Sequence, residues 1–363
     1  MSSKPLRLIY TLVCGVIGAY VFQWIHMPIP WLLGPMIFVL IASKTIKTVK
    51  PLWPPVLRNA GMIVIGYTIG LSFTMATLQQ IGKQLPSMIL LTMLLLICSL
   101  LIAALVSFLS GVPFPTVLMG SIPGGLTQMV TLADDIKGID ITVVTFLQVS
   151  RLMMIIFFVP LLVFSPIFGG EASEAAAGMN EAAVSAWNGL FPHIIVYAAV
   201  CTLFAFVGQR IKFPTAYLLG PMIAAVLLNL SGYEGHALPT LFLNASQLVI
   251  GTYVGMLLKP EQLSHKLRMV ALALLSGVLL IGCSISLSVL LTKMHAVTMI
   301  TAFLGLAPGG MDQMGIIGKE AGADLSVVIC YQLFRTLFIF VAVPPLLKAI
   351  FKSVQRKKLA GHE

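Results

Sequence analysis

From Ser87 to Phe108 the chain runs without a single charged side chain, enough for the roughly 20 residues that a helix needs to cross about 30 Å of hydrocarbon. Other runs of this kind follow, and a soluble core could not hide so many of them. Of 363 residues 58% are hydrophobic and 9% charged, with a mean hydropathy of +1.01, whereas an ordinary soluble domain is about 25% charged. The expected fold class is an all-α integral membrane protein, with the lipid bilayer as its first partner.

The formal charge is +10, but the Lys and Arg residues are scattered at the ends of apolar spans. They are topology signals rather than a nucleic-acid surface. The five cysteines, Cys14, Cys98, Cys201, Cys283 and Cys330, all lie inside apolar segments without C-x-x-C or Cys/His spacing, so neither a disulfide framework nor a metal cluster is expected. No pair of histidines has metal-ligand spacing either. The opening "MSSKPLRLIYTLVCGVIGAYVFQW" has basic residues and an apolar run but lacks a small-residue cleavage site. It is expected to be an uncleaved first membrane helix.

The chain repeats itself. "MPIPWLLGPMI" from Met27 matches "FPTAYLLGPMI" from Phe213, with Pro28 and Pro214 offset by 214 − 28 = 186. "NAGMIVIGYTIGL" from Asn59 matches "NASQLVIGTYVGM" from Asn244, at 244 − 59 = 185. "MGSIPGGLTQM" and "LGLAPGGMDQM" align at 308 − 123 = 185, and Gln148/Gln332, Arg151/Arg335 and Pro160/Pro344 align at 184. Each half holds six apolar segments, roughly 8–25, 30–43, 57–77, 86–110, 114–133 and 140–165, then 190–208, 215–230, 242–258, 269–292, 297–317 and 325–348. The expected units are a first repeat over 8–168, an exposed acidic linker over 169–186, a second repeat over 187–350 and a basic tail over 351–363.

Parity and charge set the expected topology. If all six segments cross, "GQRIK" (Gly208 to Lys212) and "KPEQLSHKLR" (Lys259 to Arg268) fall outside and the acidic linker inside, against the positive-inside rule. If the Pro-Gly-Gly segment of each half enters and returns, "KTIKTVK" (Lys44 to Lys50), both basic loops and "FKSVQRKK" (Phe351 to Lys358) come inside. The expectation is an inverted repeat of two halves, each with about five transmembrane helices plus one re-entrant Pro-Gly-Gly segment. Both termini are then cytoplasmic, a design recurrent among secondary transporters.

Broken backbone is tolerable in lipid only where protein or a wet cavity surrounds it. Gly124, Gly125, Gly309 and Gly310, after Pro123 and Pro308, either make a packed kink or let a ligand approach the backbone. Thr127 and Gln128 follow the first break, Asp312 and Gln313 the second. A carboxylate inside the membrane is a functional candidate by default; Asp312 binds a proton or Na⁺, or pairs with a nearby Arg. Arg151 and Arg335 lie 11 residues beyond Asp140 and Asp324, which places them about 16 Å along a helix at about 1.5 Å per residue. Gln148 and Gln332 share the face of each Arg. Such a pair suits an oxyanion, or the carbonyls of the broken segments, and the two roles are compatible. Asp140 and Asp324 are read as helix N-caps, Gly34-Pro35 and Gly220-Pro221 as kinks. Gly66/Gly251 and Gly70/Gly255 give a small-residue packing face.

In "LLGPM", "S-x-PGG"/"APGG" and "Q-x-x-R" the chain resembles the bacterial AbrB-type membrane proteins, built from two AbrB duplication domains, over about residues 8 to 350. The resemblance implies a bacterial cytoplasmic (inner) membrane protein, labelled within the family as transporter, transition-state regulator or ammonia monooxygenase. A monooxygenase needs clustered His or carboxylate ligands, which the sequence lacks. A DNA-binding regulator needs a soluble basic module, which no loop is long enough to supply. The expectation is a non-enzymatic secondary transporter for a small organic anion or amphiphile, coupled to H⁺ or Na⁺, without cofactor or nucleic-acid partner and with room for a homo-oligomer. The alternative is a membrane-embedded sensor or regulator of gene expression without net transport.

Overall fold

The computed structural model describes residues 4–45, 51–124, 139–165, 193–211, 215–233, 235–256 and 266–339, with Met129, Ala133, Phe168, Phe213 and Val341. Among these residues the regular structure is entirely helical. The linker over 169–186 and the tail over 351–363 lie outside the described residues.

In chain order the helices are α1 Lys4–Trp24, α2 Pro30–Thr45, α3 Pro55–Gly70, α4 Met75–Ser110, α5 Phe114–Ser121 and α6 Ile141–Val163. Then come α7 His193–Arg210, α8 Ala216–Leu230, α9 Thr240–Gly255, α10 Lys266–Met294, α11 Met299–Leu306, α12 Met311–Glu320 and α13 Leu325–Ile339. Five of them, α1, α4, α6, α7 and most of α10, are long and apolar enough to cross a membrane, which makes a multi-pass membrane protein. Local chemistry sets the ends. Thr74 and Thr77 form a reciprocal cap that starts α4 well before the expected residue 86, and Gly111 closes it at φ +73°. Pro86 sits inside α4, and Pro35 and Pro221 inside α2 and α8. Gly34-Pro35 and Gly220-Pro221, read as kinks, thus lie within helices that run on past the proline.

Contacts between the halves are exchanged in matched pairs. α2 packs on α9 and α3 on α8. A Cβ on Gly66 would meet the Leu218 carbonyl oxygen, and on Gly251 the equivalent Leu32 oxygen; Gly70 and Gly255 lie in the same way against Met222 and Met36. Within each half, Gly34 presses on the Gly18 carbonyl and Gly220 on the Phe204 carbonyl, holding α1 to α2 and α7 to α8. Small residues let backbones close where lipid offers no hydrophobic drive between helices. Burial then separates outer from inner helices. In the crossing window of α6 67% of residues are buried, against 22% in α7, and Phe108 of α4 is 87% exposed. The helix that carries Arg151 is central, while α1, α4, α7 and α10 turn large apolar side chains outward.

Candidate functional site: one cavity at two backbone breaks

The last carbonyls of a helix have no intrahelical donor, and α5 and α11 each stop one residue before a Pro-Gly-Gly. Four side chains supply what is missing. Gln148 Nε2 donates to the Met119 and Ile122 oxygens at 2.8 and 3.1 Å, and Arg151 Nη1 to Gly120, Ser121 and Ile122 at 3.4, 3.0 and 2.9 Å. In the second half Gln332 Nε2 donates to Leu304 and Ala307 at 2.7 and 3.0 Å. Arg335 reaches Leu306, Ala307 and Gly309 at 3.1, 2.8 and 3.0 Å. Arg151 Nη2 also donates to Gln148 Oε1 at 2.6 Å, and Arg335 to Gln332 Oε1, so the expected i, i+3 pairing holds in both halves. A guanidinium at a helix C-terminus also opposes the negative end of the macrodipole.

The framework behind these arginines is duplicated too. Asp140 Oδ1 accepts from the backbone of Thr142 and Val143 at 2.9 and 3.2 Å, and Asp324 Oδ1 from Ser326 and Val327 at 3.0 and 3.3 Å. The N-cap reading of both aspartates is therefore correct. Thr116 and Thr301 in turn accept the backbone N–H of Asp140 and Asp324 at 3.3 and 3.1 Å, tying the start of each arginine helix to its short helix.

Both breaks open on one cavity of about 320 Å³, lined by Pro123 and Gly124 from the first half and by Pro308, Gly309 and Gly310 from the second. That lies at the lower end of the ~300–1,000 Å³ typical of small-molecule pockets. Gln148, Arg151, Asp312 and Gln313 also line it. Thr215, another lining residue, has φ +46°, and its equivalent Ile29 has φ +48°. Such values are costly for β-branched residues, so both second helices start from the same strained turn. Gln332 and Arg335 stand behind the second break, 0% and 3% exposed. Gly125, Thr127 and Gln128 lie outside the described residues.

Hydrogen-bonding capacity is left over at the cavity. Gln313 Oε1 and Arg151 Nε are buried without a partner, as is Arg335 Nε. Asp312 is 6% exposed and sits in the first turn of α12, accepting from Gln313 Nε2 at 3.1 Å. Arg151 and Arg335 spend their Nη groups on carbonyls, and no ion pair joins either to Asp312 among the described residues. Arg58 lines the cavity with Asp312 and is stacked 4.9 Å from the centroid of Tyr253, which also lines it. Sequence reading missed both. The signal was in the repeat: at the offset of 185, Arg58 aligns with Leu243 and Tyr253 with Thr68.

Fold and site together define a multi-pass helical membrane protein in which two matched sets of helices enclose a cavity at paired backbone breaks. The family model described as "Transition state regulatory protein AbrB" matches residues 31–351, and the chain belongs to this family. It is similar to "Uncharacterized protein YhjN" of Bacillus subtilis (strain 168), at 21% identity over 97% of this chain and 95% of the relative. It is also similar to "Putative regulator AbrB" of Escherichia coli (strain K12), at 26% identity over 91% of this chain and 92% of the relative.

Proposed function

We propose that the protein is a secondary transporter of a small organic anion or amphiphile, coupled to H⁺ or Na⁺ and working by alternating access. One observation carries this reading: the breaks of both halves, far apart in sequence, line the same cavity, and two of its lining residues, Arg151 and Gln313, carry buried polar atoms without a partner. Irregular backbone at membrane depth is the usual form of a carrier site. The short helices beside the breaks span 8, 8 and 10 residues, or about 12–15 Å at about 1.5 Å per residue. That is at most about half of the ~30 Å of hydrocarbon, which supports Pro-Gly-Gly segments that enter and return. The exchanged contacts of α2 with α9 and α3 with α8 support two halves related by a two-fold operation, inverted across a bacterial cytoplasmic membrane with both termini inside. Substrate binding falls to Arg151, Arg335, Gln148 and Gln332, with Gly124, Gly125, Gly309 and Gly310 of the two Pro-Gly-Gly sequences. Asp312 and Gln313, with Thr127 and Gln128, serve the coupling ion.

Flux measured in proteoliposomes across a panel of carboxylates and amphiphilic anions tests the carrier reading; binding without flux for every compound would overturn it. Labelling of a Ser173→Cys variant from outside intact cells tests the orientation, and labelling of Arg210→Cys only from the cytoplasmic side is the matching expectation. The regulator named among the relatives favours a second reading, a membrane sensor in which cavity occupancy is read by another component. Binding without flux is the result that selects it.

A further inference from the structure

Two of the charged residues at the cavity stand where the repeat is broken. Arg58 on α3 aligns with Leu243, at 243 − 58 = 185, and Asp312 on α12 aligns with Thr127, at 312 − 127 = 185. The duplicated arginines spend their Nη groups on backbone carbonyls and on the neighbouring Gln side-chain oxygen. Arg58 does not: its guanidinium lies on the Tyr253 ring and has no hydrogen bond or ion pair among the described residues. It lines the cavity together with the buried Asp312.

We infer that Arg58, stacked on Tyr253, is the anion-binding cation of this cavity, and that the Asp312 carboxylate competes with the ligand anion for it until a proton or Na⁺ occupies Asp312. This deepens the carrier reading and rests on it. An ionised Asp312 opposes an incoming anion twice, by attracting Arg58 and by repelling the ligand through a medium that screens poorly. A bound cation removes both effects. Gln313 Oε1, buried without a partner beside Asp312, supplies a neutral oxygen to that cation. Linkage makes the effect mutual: the factor by which the cation raises anion affinity equals the factor by which the anion raises cation affinity. Among the described residues, the other charged or titratable groups at the cavity are Arg151 on α6 and Tyr253 on α9, with Arg335 on α13 behind the second break. Lys319 and Glu320 sit at the far end of α12, where Glu320 accepts from Gln247.

The test uses purified protein in lipid nanodiscs and four probes, acetate, benzoate, succinate and inorganic phosphate, whose binding is measured at acidic and neutral pH, with Na⁺ or with choline. The expected result is tighter binding of at least one probe by wild type at acidic pH or in Na⁺, the arm that responds naming the coupling cation. Asp312→Asn binds that probe about 10-fold or more tightly than wild type at neutral pH in choline, within the usual range of coupling between sites, and loses the cation dependence. Arg58→Gln loses at least about 10-fold in affinity, and Arg58→Lys keeps part of it. Wild-type protein supplies an independent readout: phenylglyoxal modification of Arg58, followed by mass spectrometry, slows when the probe is bound. Unchanged binding in both Arg58 variants, an unchanged modification rate, or weaker binding by Asp312→Asn overturns the inference while leaving the carrier site standing. No binding of any probe to wild type under any condition removes the anion-carrier reading itself, and the inference falls with it.

Discussion

Around Pro123 the Arg151 guanidinium reaches the carbonyls of Gly120, Ser121 and Ile122, all on the helix side of the break. Around Pro308 the Arg335 guanidinium holds Leu306 and Ala307 and then crosses the proline to the carbonyl of Gly309. What is duplicated is what any broken segment in lipid requires, a donor for each freed carbonyl. What differs faces the cavity: Asp312 without a charged twin, Arg58 where the other half has Leu243, and a second break whose arginine reaches past the proline. The halves agree where the backbone must be satisfied and part where a ligand would sit.

Removing the arginines strikes this comparison hardest. Arg151→Met and Arg335→Met each leave buried carbonyls without donors, at about 1–3 kcal/mol for each group left unsatisfied. Each variant is expected to lose about 3 kcal/mol, read as a fall in thermal-unfolding midpoint and in monodisperse yield, with Arg151→Met the worse: Ile122 and Ala307 keep their Gln donors and Leu306 keeps the Ser284 hydroxyl, so Gly120 and Ser121 are orphaned in one variant and Gly309 alone in the other. A stable Arg335→Met protein would show that water or Gln332 can replace the guanidinium. Equal losses in the two variants would show that the long 3.4 Å bond to Gly120 adds nothing.

The exchanged glycine contacts come next. Gly66→Ala and Gly251→Ala each drive a methyl into a carbonyl of the other half, and such overpacking costs about 1–3 kcal/mol. Equal losses at the two positions support matched interfaces; a loss at one alone breaks the equivalence. A methyl added at Gly82 of α4 would meet nothing within 4 Å, so Gly82→Ala is the control. It is expected to stabilise by up to about 1 kcal/mol through the helix preference of Ala over Gly.

How far the sequence revealed these features depends on how local each one is. The caps at Asp140 and Asp324 were legible because an N-cap uses only the next three residues. The repeat was legible from spacing, and Gln-x-x-Arg from the geometry of a helix face. What the arginines hold was left open, since oxyanion and carbonyl offer the same acceptor; only the short bonds to Ile122 and Ala307 show that carbonyls take the Nη groups. Pro35 and Pro221 follow close-packing glycines, and α2 and α8 continue through them. Arg58 was illegible as a single residue. It looked like one more basic residue near a segment end, and its meaning arises when α3 and α9 pack and bring it over Tyr253, a contact across 195 positions, 253 − 58.

The smallest expected effect is at the two caps, where the halves are most alike. Asp140→Ala and Asp324→Ala each free two backbone N–H groups and are expected to cost about 1 kcal/mol, within the ~0.5–2 kcal/mol range for such caps. The caps sit on separate helices, so the double variant should lose the sum. Asparagine separates hydrogen bonding from charge, because it caps about as well as aspartate. If Asp140→Asn and Asp324→Asn both unfold near the wild-type temperature, the caps act through their hydrogen bonds and the halves are equivalent here. If Asp324→Asn alone falls as far as Asp324→Ala, the negative charge at the start of α13 matters in the second half only. The divergence seen at Arg58 and Asp312 would then extend beyond the cavity wall into the helix that carries Arg335.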